Sequence, residues 1–267
     1  MKAALRTALA LCLLLVPGLA GCASPAKAAP TRTPLQTWLT QKPLYIAHRG
    51  GDANWPEASV LAYAAAADWN RGMALEVPVW RTSDGVWVVS EQETTDRVYG
   101  KHYDISSTPW ETLSALRSIK GNQPMSRLVN DVLDVYGSSR ILFVENKSDL
   151  DSSAFLNLLD SFAGRSQYVV KCYWAAAATA AAAHRHGYLT WGYYYAKDMP
   201  NFAATQSRFD LLGQEYTAPA SDFQTMEATG KPVIAHIIDS ATAAKAALDK
   251  GADGLMVSDV RDVVPQS

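Results

Sequence analysis

The strongest constraint on this chain is an alternation. From Leu35 onward, short apolar runs of strand length take turns with stretches of helical periodicity, as a parallel α/β layer requires. The runs that read as strands are Leu44–Ala47, Ala74–Val79, Val86–Ser90, Ile141–Asn146, Val169–Tyr173, Thr190–Tyr195, Leu211–Glu215, Val233–Ile238 and Leu255–Ser258. Between them, Ala58–Asn70, Leu128–Tyr136, Phe155–Phe162 and Ala241–Lys250 carry apolar residues at helical spacing and stop at or near a glycine. Ala175–Ala183 is an alanine run, helix-forming but poor in bulk for packing.

The stretch 35–267 approaches the roughly 250 residues typical of a TIM barrel. Alternation and length together predict a (β/α)8 TIM barrel. The candidate strands exceed eight by one, so one extended segment is expected outside the barrel; Leu211–Glu215 is the weakest of them. The link between Ala74–Val79 and Val86–Ser90 holds the turn signal Ser83-Asp84-Gly85 and has no room for a helix, so the connection there is irregular.

The first residues are not part of that pattern. Lys2 and Arg6 precede an apolar stretch from Ala8 to Val16, broken by Pro17-Gly18, which reads as a secretory signal too short to span a bilayer permanently. It ends in Leu19-Ala20-Gly21-Cys22, which resembles the bacterial lipobox. That resemblance implies a signal peptide over 1–21, a lipidated Cys22, and an extracytoplasmic protein held on the cell membrane. The alternative is a plain signal with an incidental cysteine. Residues 22–34, rich in Ala, Pro, Ser and Thr, read as a disordered linker, with the domain over 35–267. Of the 3 cysteines, Cys12 leaves with the signal and Cys22 takes lipid, so no disulfide is available within one chain and Cys172 reads as a small buried hydrophobe. A net charge of -2 gives no footprint for nucleic acid.

Polar motifs cluster at strand ends. The first strand runs into His48-Arg49-Gly50, followed by Pro56-Glu57. The second holds Glu76-Val77-Pro78, with Thr82-Ser83-Asp84-Gly85 after it. The fourth ends in Glu145-Asn146-Lys147, and Gly251 to Asp259 spans the last. In a barrel the C-terminal strand ends converge on one mouth, where catalytic groups sit. The residue types suit a phosphodiester. Arg49 and Lys147 can meet charge on phosphoryl oxygens. Glu76 and Glu145 offer oxygens to a hard divalent cation, and His48 suits proton transfer near neutral pH. The alternative for Lys147 is a structural ion pair with a carboxylate.

Taken together, these motifs resemble the glycerophosphodiester phosphodiesterase family, most specifically from His48 to Arg97. The resemblance implies hydrolysis of a small phosphodiester, with His48 as one of two catalytic histidines and Ca²⁺ or Mg²⁺ on Glu76 and Glu145. Three positions depart from the family. Its Glu-x-Asp reads Glu76-Val77-Pro78 here, which removes a metal ligand. Its third strand ends in His-Asp, where this chain has Glu91-Gln92; Glu91 can carry a proton and stands as the candidate acid. His236 falls about where the family places a tryptophan near the substrate, and reads either as a substrate-side imidazole or as a satisfied core histidine. Trp191, Tyr193 and Tyr195 share one strand face, as barrel packing or as a pocket wall. Two functions follow: a metal-dependent phosphodiesterase, or a barrel that has lost turnover and binds phosphate-bearing ligands.

Overall fold

A computed structural model describes residues 32–267 apart from Asp149 and Ala163; the signal, the lipobox and Cys22 lie outside the described residues. The strands are β1 (Leu44–Ala47), β2 (Ala74–Arg81), β3 (Trp87–Val89), β4 (Leu142–Asn146), β5 (Tyr168–Tyr173), β6 (Leu189–Tyr194), β7 (Leu211–Glu215), β8 (Val233–Ile238) and β9 (Gly254–Val257). Their order is β1-β9-β8-β7-β6-β5-β4-β2-β3, and β1 also pairs with β2. That extra pairing closes eight parallel strands into a (β/α)8 barrel. β3 stays outside, antiparallel to β2 alone.

The surplus strand is therefore β3, on the far side of the tight turn at Asp84-Gly85. The weakest candidate, Leu211–Glu215, is a full barrel strand paired with β6 and β8. It looks unlike a strand because Gly213 makes room for an aromatic ring: a Cβ there would stand 2.5 Å from the Trp191 indole. The β3 region builds a small core of its own from Val88, Ile105, Leu113, Leu116 and Met125.

The barrel interior follows the two-residue period of a strand. Leu44 and Ile46, Ala74, Ile141 and Phe143, Val169, Trp191, Leu211, Ile234 and Met256 form one apolar cluster, the barrel floor. The helix Pro34–Trp38 seats Leu35 and Trp38 in this cluster, with the Trp38 ring edge-on to Phe143 at 5.7 Å. Thr33 caps this helix by accepting from the Gln36 N–H, and Pro34 takes the first turn, where its missing N–H costs nothing. Ordered structure thus takes in residues 33 and 34, which the sequence assigns to the linker. The second, larger core lies between the strands and helices such as Val60–Trp69, Ser152–Asp160 and Ala241–Asp249, and includes the buried Cys172. The segment expected as the helix Leu128–Tyr136 opens as a wide π-turn over Leu128–Leu133 before Asp134–Tyr136.

Candidate active site at the barrel mouth

One step further along each strand, the same inward phase turns polar. Phe143 is followed by Glu145 and Lys147, Val169 by Lys171 and Tyr173, Trp191 by Tyr193 and Tyr195, Ala74 by Glu76, and Ile46 by His48. The floor is apolar because it is sealed. The layer above it is charged, and its charges are paired.

Beyond β1 the chain turns sharply through Arg49, Gly50 and Gly51, all at positive φ. Gly50 must be glycine: at φ 80° a Cβ would lie 2.8 Å from the Cβ of Ala62 in the helix Val60–Trp69. The turn aims the Arg49 N–H at Glu76 Oε2, 2.8 Å away. It also brings Asp52 back under His48, where Asp52 Oδ1 lies 3.0 Å from Nδ1 and accepts from the Ser258 hydroxyl at 2.6 Å. Burial works against a charge on Asp52. The hydrogen bond and charge of His48, with help from Ser258 and Arg49, outweigh it and hold the carboxyl down at about 2. Against an ionised Asp52, Nδ1 of His48 carries the proton, and Nε2 is the ring nitrogen left for chemistry. Asp52 was not singled out from sequence; the signal was its place four residues after His48, inside the fixed gap before Pro56-Glu57. Glu57 in turn grips Arg97 through both carboxylate oxygens, which ties the first loop to the β3 lobe.

The other half of the mouth is an ion cluster. Lys171 on β5 donates to Glu76 Oε1 at 2.8 Å and lies 2.6 Å from Glu145 Oε2. Lys147 reaches Glu91 Oε1 at 3.0 Å and Glu145 Oε2 at 3.3 Å. Arg49 adds a contact to Glu91 at 3.4 Å, and the Tyr193 hydroxyl donates to Glu145 Oε1 at 2.9 Å. Burial disfavours charge on Glu76 and Glu145, yet Lys171 above all keeps both carboxyls below their ordinary range. Burial likewise opposes charge on Lys171 and Lys147; the carboxylates win and raise both. His48, Arg49, Glu76, Glu91, Glu145 and Lys147 are thus at one mouth, as the motifs suggested. Lys171 is the residue sequence reasoning missed, because it sits in an otherwise apolar run. Its inward phase, two residues after Val169, was the available signal.

His236 on β8 is buried at the edge of this layer. Its Nε2 lies 3.0 Å from the Tyr194 carbonyl, and its ring meets Trp191, Tyr193 and Tyr195 edge-on. Burial pushes it down to about 3, so it is a neutral imidazole that donates to that carbonyl. Tyr195 joins it as a wall residue; Trp191 belongs to the floor, and Tyr193 packs on the floor while its side chain also lines the cavity. Beside the cluster a cavity of about 330 Å³ opens between β4, β5 and β6, lined by Glu145, Lys147, Lys171, Tyr173, Thr179 and Tyr193.

Pro78 shows how the sheet accepts a proline. Its carbonyl accepts from the Ser90 N–H, so its nitrogen faces the same side, where pairing of β1 with β2 has ended at Leu75. It brings no ligand atom. Glu76, Glu91 and Glu145 each bring one oxygen within 4.8 Å of the others, a spacing at which three carboxylates could hold a metal ion. The surroundings do not fit one as they stand: both oxygens of Glu76 and both of Glu145 already have donors, two of them filled by the same ammonium.

Residues 48–151 match the model of the Glycerophosphoryl diester phosphodiesterase family. That segment holds His48, Arg49, Glu76, Glu91, Glu145 and Lys147, and ends before Lys171. Solved structures agree on the fold. A phosphodiesterase of Oleispira antarctica, in complex with the product sn-glycerol-3-phosphate, matches with a TM-score of 0.70 at 17% identity, covering 82% of this chain and 94% of that one. A glycerophosphodiester phosphodiesterase of Thermotoga maritima matches at 0.67 and 17%, covering 81% and 95%. A glycerophosphoryl diester phosphodiesterase of Parabacteroides distasonis gives 0.67 and 14%, covering 84% and 88%.

Proposed function

We propose that this domain hydrolyses phosphodiesters of the glycerophosphodiester class at the barrel mouth, on the outer side of the membrane that carries it. The observation that carries this reading is the His48–Asp52–Ser258 chain set against a cationic rim of Arg49 and Lys147. Nε2 of His48 takes the proton of the attacking water, and Asp52 stabilises the imidazolium that forms. The phosphoryl oxygens sit on Arg49 and Lys147. Arg49 Nε is buried without a partner among the described residues, as is Glu91 Oε2, which leaves bonding capacity on both sides of the seat. A diester seated there takes over the cations that Glu91 holds in the free protein, and the released carboxylate, now beside the diester's own charge, picks up a proton from solvent and passes it to the leaving alkoxide. The products are a phosphomonoester and an alcohol. The family's Ca²⁺ or Mg²⁺ enters no step of this scheme. His236 serves as a neutral wall of the substrate pocket.

The test is an assay of the purified full chain on glycerophosphodiesters, with and without chelator, beside His48→Ala. Turnover that His48→Ala removes supports the reading; equal turnover in both sinks it. A binding protein without turnover is the second reading, favoured by one observation: Glu91 stands in a salt bridge where the family has its second histidine. It wins if no diester is cleaved while glycerol 3-phosphate binds and Arg49→Ala abolishes that binding.

The location rests on Leu19-Ala20-Gly21-Cys22 following an apolar stretch. None of the described helices is long and apolar enough to cross a membrane. Diacylglycerol on Cys22 would supply the hold, at roughly 0.8 kcal/mol for each buried methylene. Cys22→Ala should leave the membrane fraction; unchanged membrane fractionation of the processed mutant refutes the anchor.

A further inference from the structure

We propose that Lys171 is the resident cation of this site: its ammonium bridges Glu76 and Glu145 in place of a divalent metal ion, and the mouth works without Ca²⁺ or Mg²⁺. The Lys171 Nζ lies 2.8 Å from Glu76 Oε1 and 2.6 Å from Glu145 Oε2, between the two carboxylates whose spacing would suit a cation. A divalent ion such as Ca²⁺ needs those oxygens at about 2.3–2.6 Å. It and the ammonium cannot share the place.

Charge leads to the same conclusion. Glu76, Glu91 and Glu145 face Lys171, Lys147 and Arg49, three carboxylates against three cations. The cluster is close to neutral as built, with Arg49 shared with Asp52 and Glu57, which have further partners in His48 and Arg97. A divalent ion added to it would bury two uncompensated charges, which an interior does not tolerate. Nor can Lys171 easily step aside. It is 6% exposed, and its Nζ lies 4.9 Å from the centroid of the Tyr193 ring, a second stabilising contact for a cation. Pro78 belongs to the same change: it supplies no ligand atom beside Glu76, so a metal would have fewer partners at the place where the lysine has more.

The chemistry asked of Lys171 is that of a fixed positive charge. It holds Glu76 and Glu145 in position, and Glu76 in turn receives the Arg49 N–H that shapes the His48-Arg49-Gly50 turn. Lys171 is in that sense a positioning residue for His48 and Arg49, and it also adds its field to the cavity it lines.

The experiment is a titration of the full chain with Ca²⁺, Mg²⁺ and Mn²⁺ by calorimetry and thermal shift, with no diester present, so its outcome is independent of whether diesters are cleaved. The parent should show no saturable heat and no metal-dependent rise in Tm up to millimolar concentrations. Lys171→Ala, which empties the place between the carboxylates, should gain one saturable site and a metal-dependent rise in Tm. Lys171→Ala with Glu76→Gln should lose both again. Saturable binding by the parent that Glu76→Gln abolishes overturns the proposal. So does a folded Lys171→Ala that takes up no metal. If Lys171→Ala folds only when Mn²⁺ or Ca²⁺ is supplied, the metal has taken the place of the ammonium and the proposal stands. If it folds under neither condition, the titration of the parent decides by itself.

Discussion

On the β1 and β9 side of the mouth, His48 rests on Asp52 and Asp52 on Ser258, a proton-handling chain that leaves one ring nitrogen for substrate. On the β2, β4 and β5 side, Glu76, Glu91 and Glu145 are interlocked with Lys147 and Lys171, and their oxygens are mostly spent on each other. Both halves are charged and largely buried, but they differ in what they keep free. The first half sets one imidazole nitrogen against an orienting carboxylate and leaves the other outside that chain of hydrogen bonds. The second has replaced an expected metal ligand with Pro78 and an expected imidazole with Glu91, and has met the resulting charge with a lysine from a neighbouring strand. On the reading proposed above, the site keeps its acid–base chemistry on one side and draws its positive charge from Lys171 on the other, because a phosphodiester asks only that its charge be met.

The largest effect expected is on the first side. His48→Ala should lower kcat on diesters by about 10²–10⁴-fold, with the barrel intact by circular dichroism. A kcat within a few-fold of the parent would move the chemistry to the ion cluster and end the comparison as drawn.

On the second side the expected effect is on stability. Lys171→Met leaves Glu76 and Glu145 buried, adjacent and short of one cation, and breaking a buried pair this way costs about 3–5 kcal/mol. Denaturant unfolding measures it. Lys171→Met with Glu76→Gln removes one of the stranded charges and should recover part of the loss. If Lys171→Met unfolds like the parent, the cluster is not holding that half together.

Glu91 tests whether the two halves meet in one reaction. Glu91→Gln should lower cleavage of alkyl diesters by roughly 10²-fold, the low end of the 10²–10⁴ range that general acids supply. Nitrophenyl diesters, whose leaving group needs little protonation, should fall much less. Equal losses on both substrates would make Glu91 a holder of Lys147 and Arg49 and not a proton donor.

How much of this was legible follows from period and packing. The barrel was readable because the parallel strands are buried on both faces and so appear as apolar runs. The mouth was readable wherever a motif named a strand end, as at His48, Glu76 and Glu145. What failed to show depended on contacts between distant segments. Lys171 looks misplaced in the run from Tyr168 to Tyr173 until Glu76, far off in sequence, is set beside it. Asp52 is one polar residue among several in a loop until Ser258, just past the last strand, closes on it. Gly213 weakened β7 in sequence because the Trp191 ring that needs the space belongs to β6. The helix Ala220–Glu227 passed unnoticed, with only Phe223 and Met226 buried to mark its inner face.

The smallest effect expected is a pH dependence, and it separates the wall from the catalytic half. His236 is neutral in the folded barrel, its ring enclosed by three aromatic side chains and its proton given to the Tyr194 carbonyl. Burial lowers it from 6.5 to about 3. Between those values the unfolded chain takes up a proton that the folded chain refuses. Stability is therefore fully present above pH 6.5 and falls as the pH drops toward 3, where the contribution is exhausted. The slope from one such group is at most about 1.4 kcal/mol per pH unit. Asp52 adds a loss of the same sign, but below 3.8, the ordinary value from which it is lowered, so the upper part of the window belongs to His236. His102, raised by its contact with Asp96, works the other way, but that pair is exposed and screened. Unfolding free energy measured by denaturant at pH 6.5 and 5.5 should differ by roughly 1 kcal/mol in the parent. The difference should largely vanish in His236→Gln, which keeps a donor for Tyr194 and cannot titrate. If His236→Gln shows the parent's slope, the imidazole takes up its proton in the fold as readily as in the unfolded chain. It would then be a second candidate acid facing the ion cluster, and the division between a neutral wall and a catalytic half would have to be redrawn.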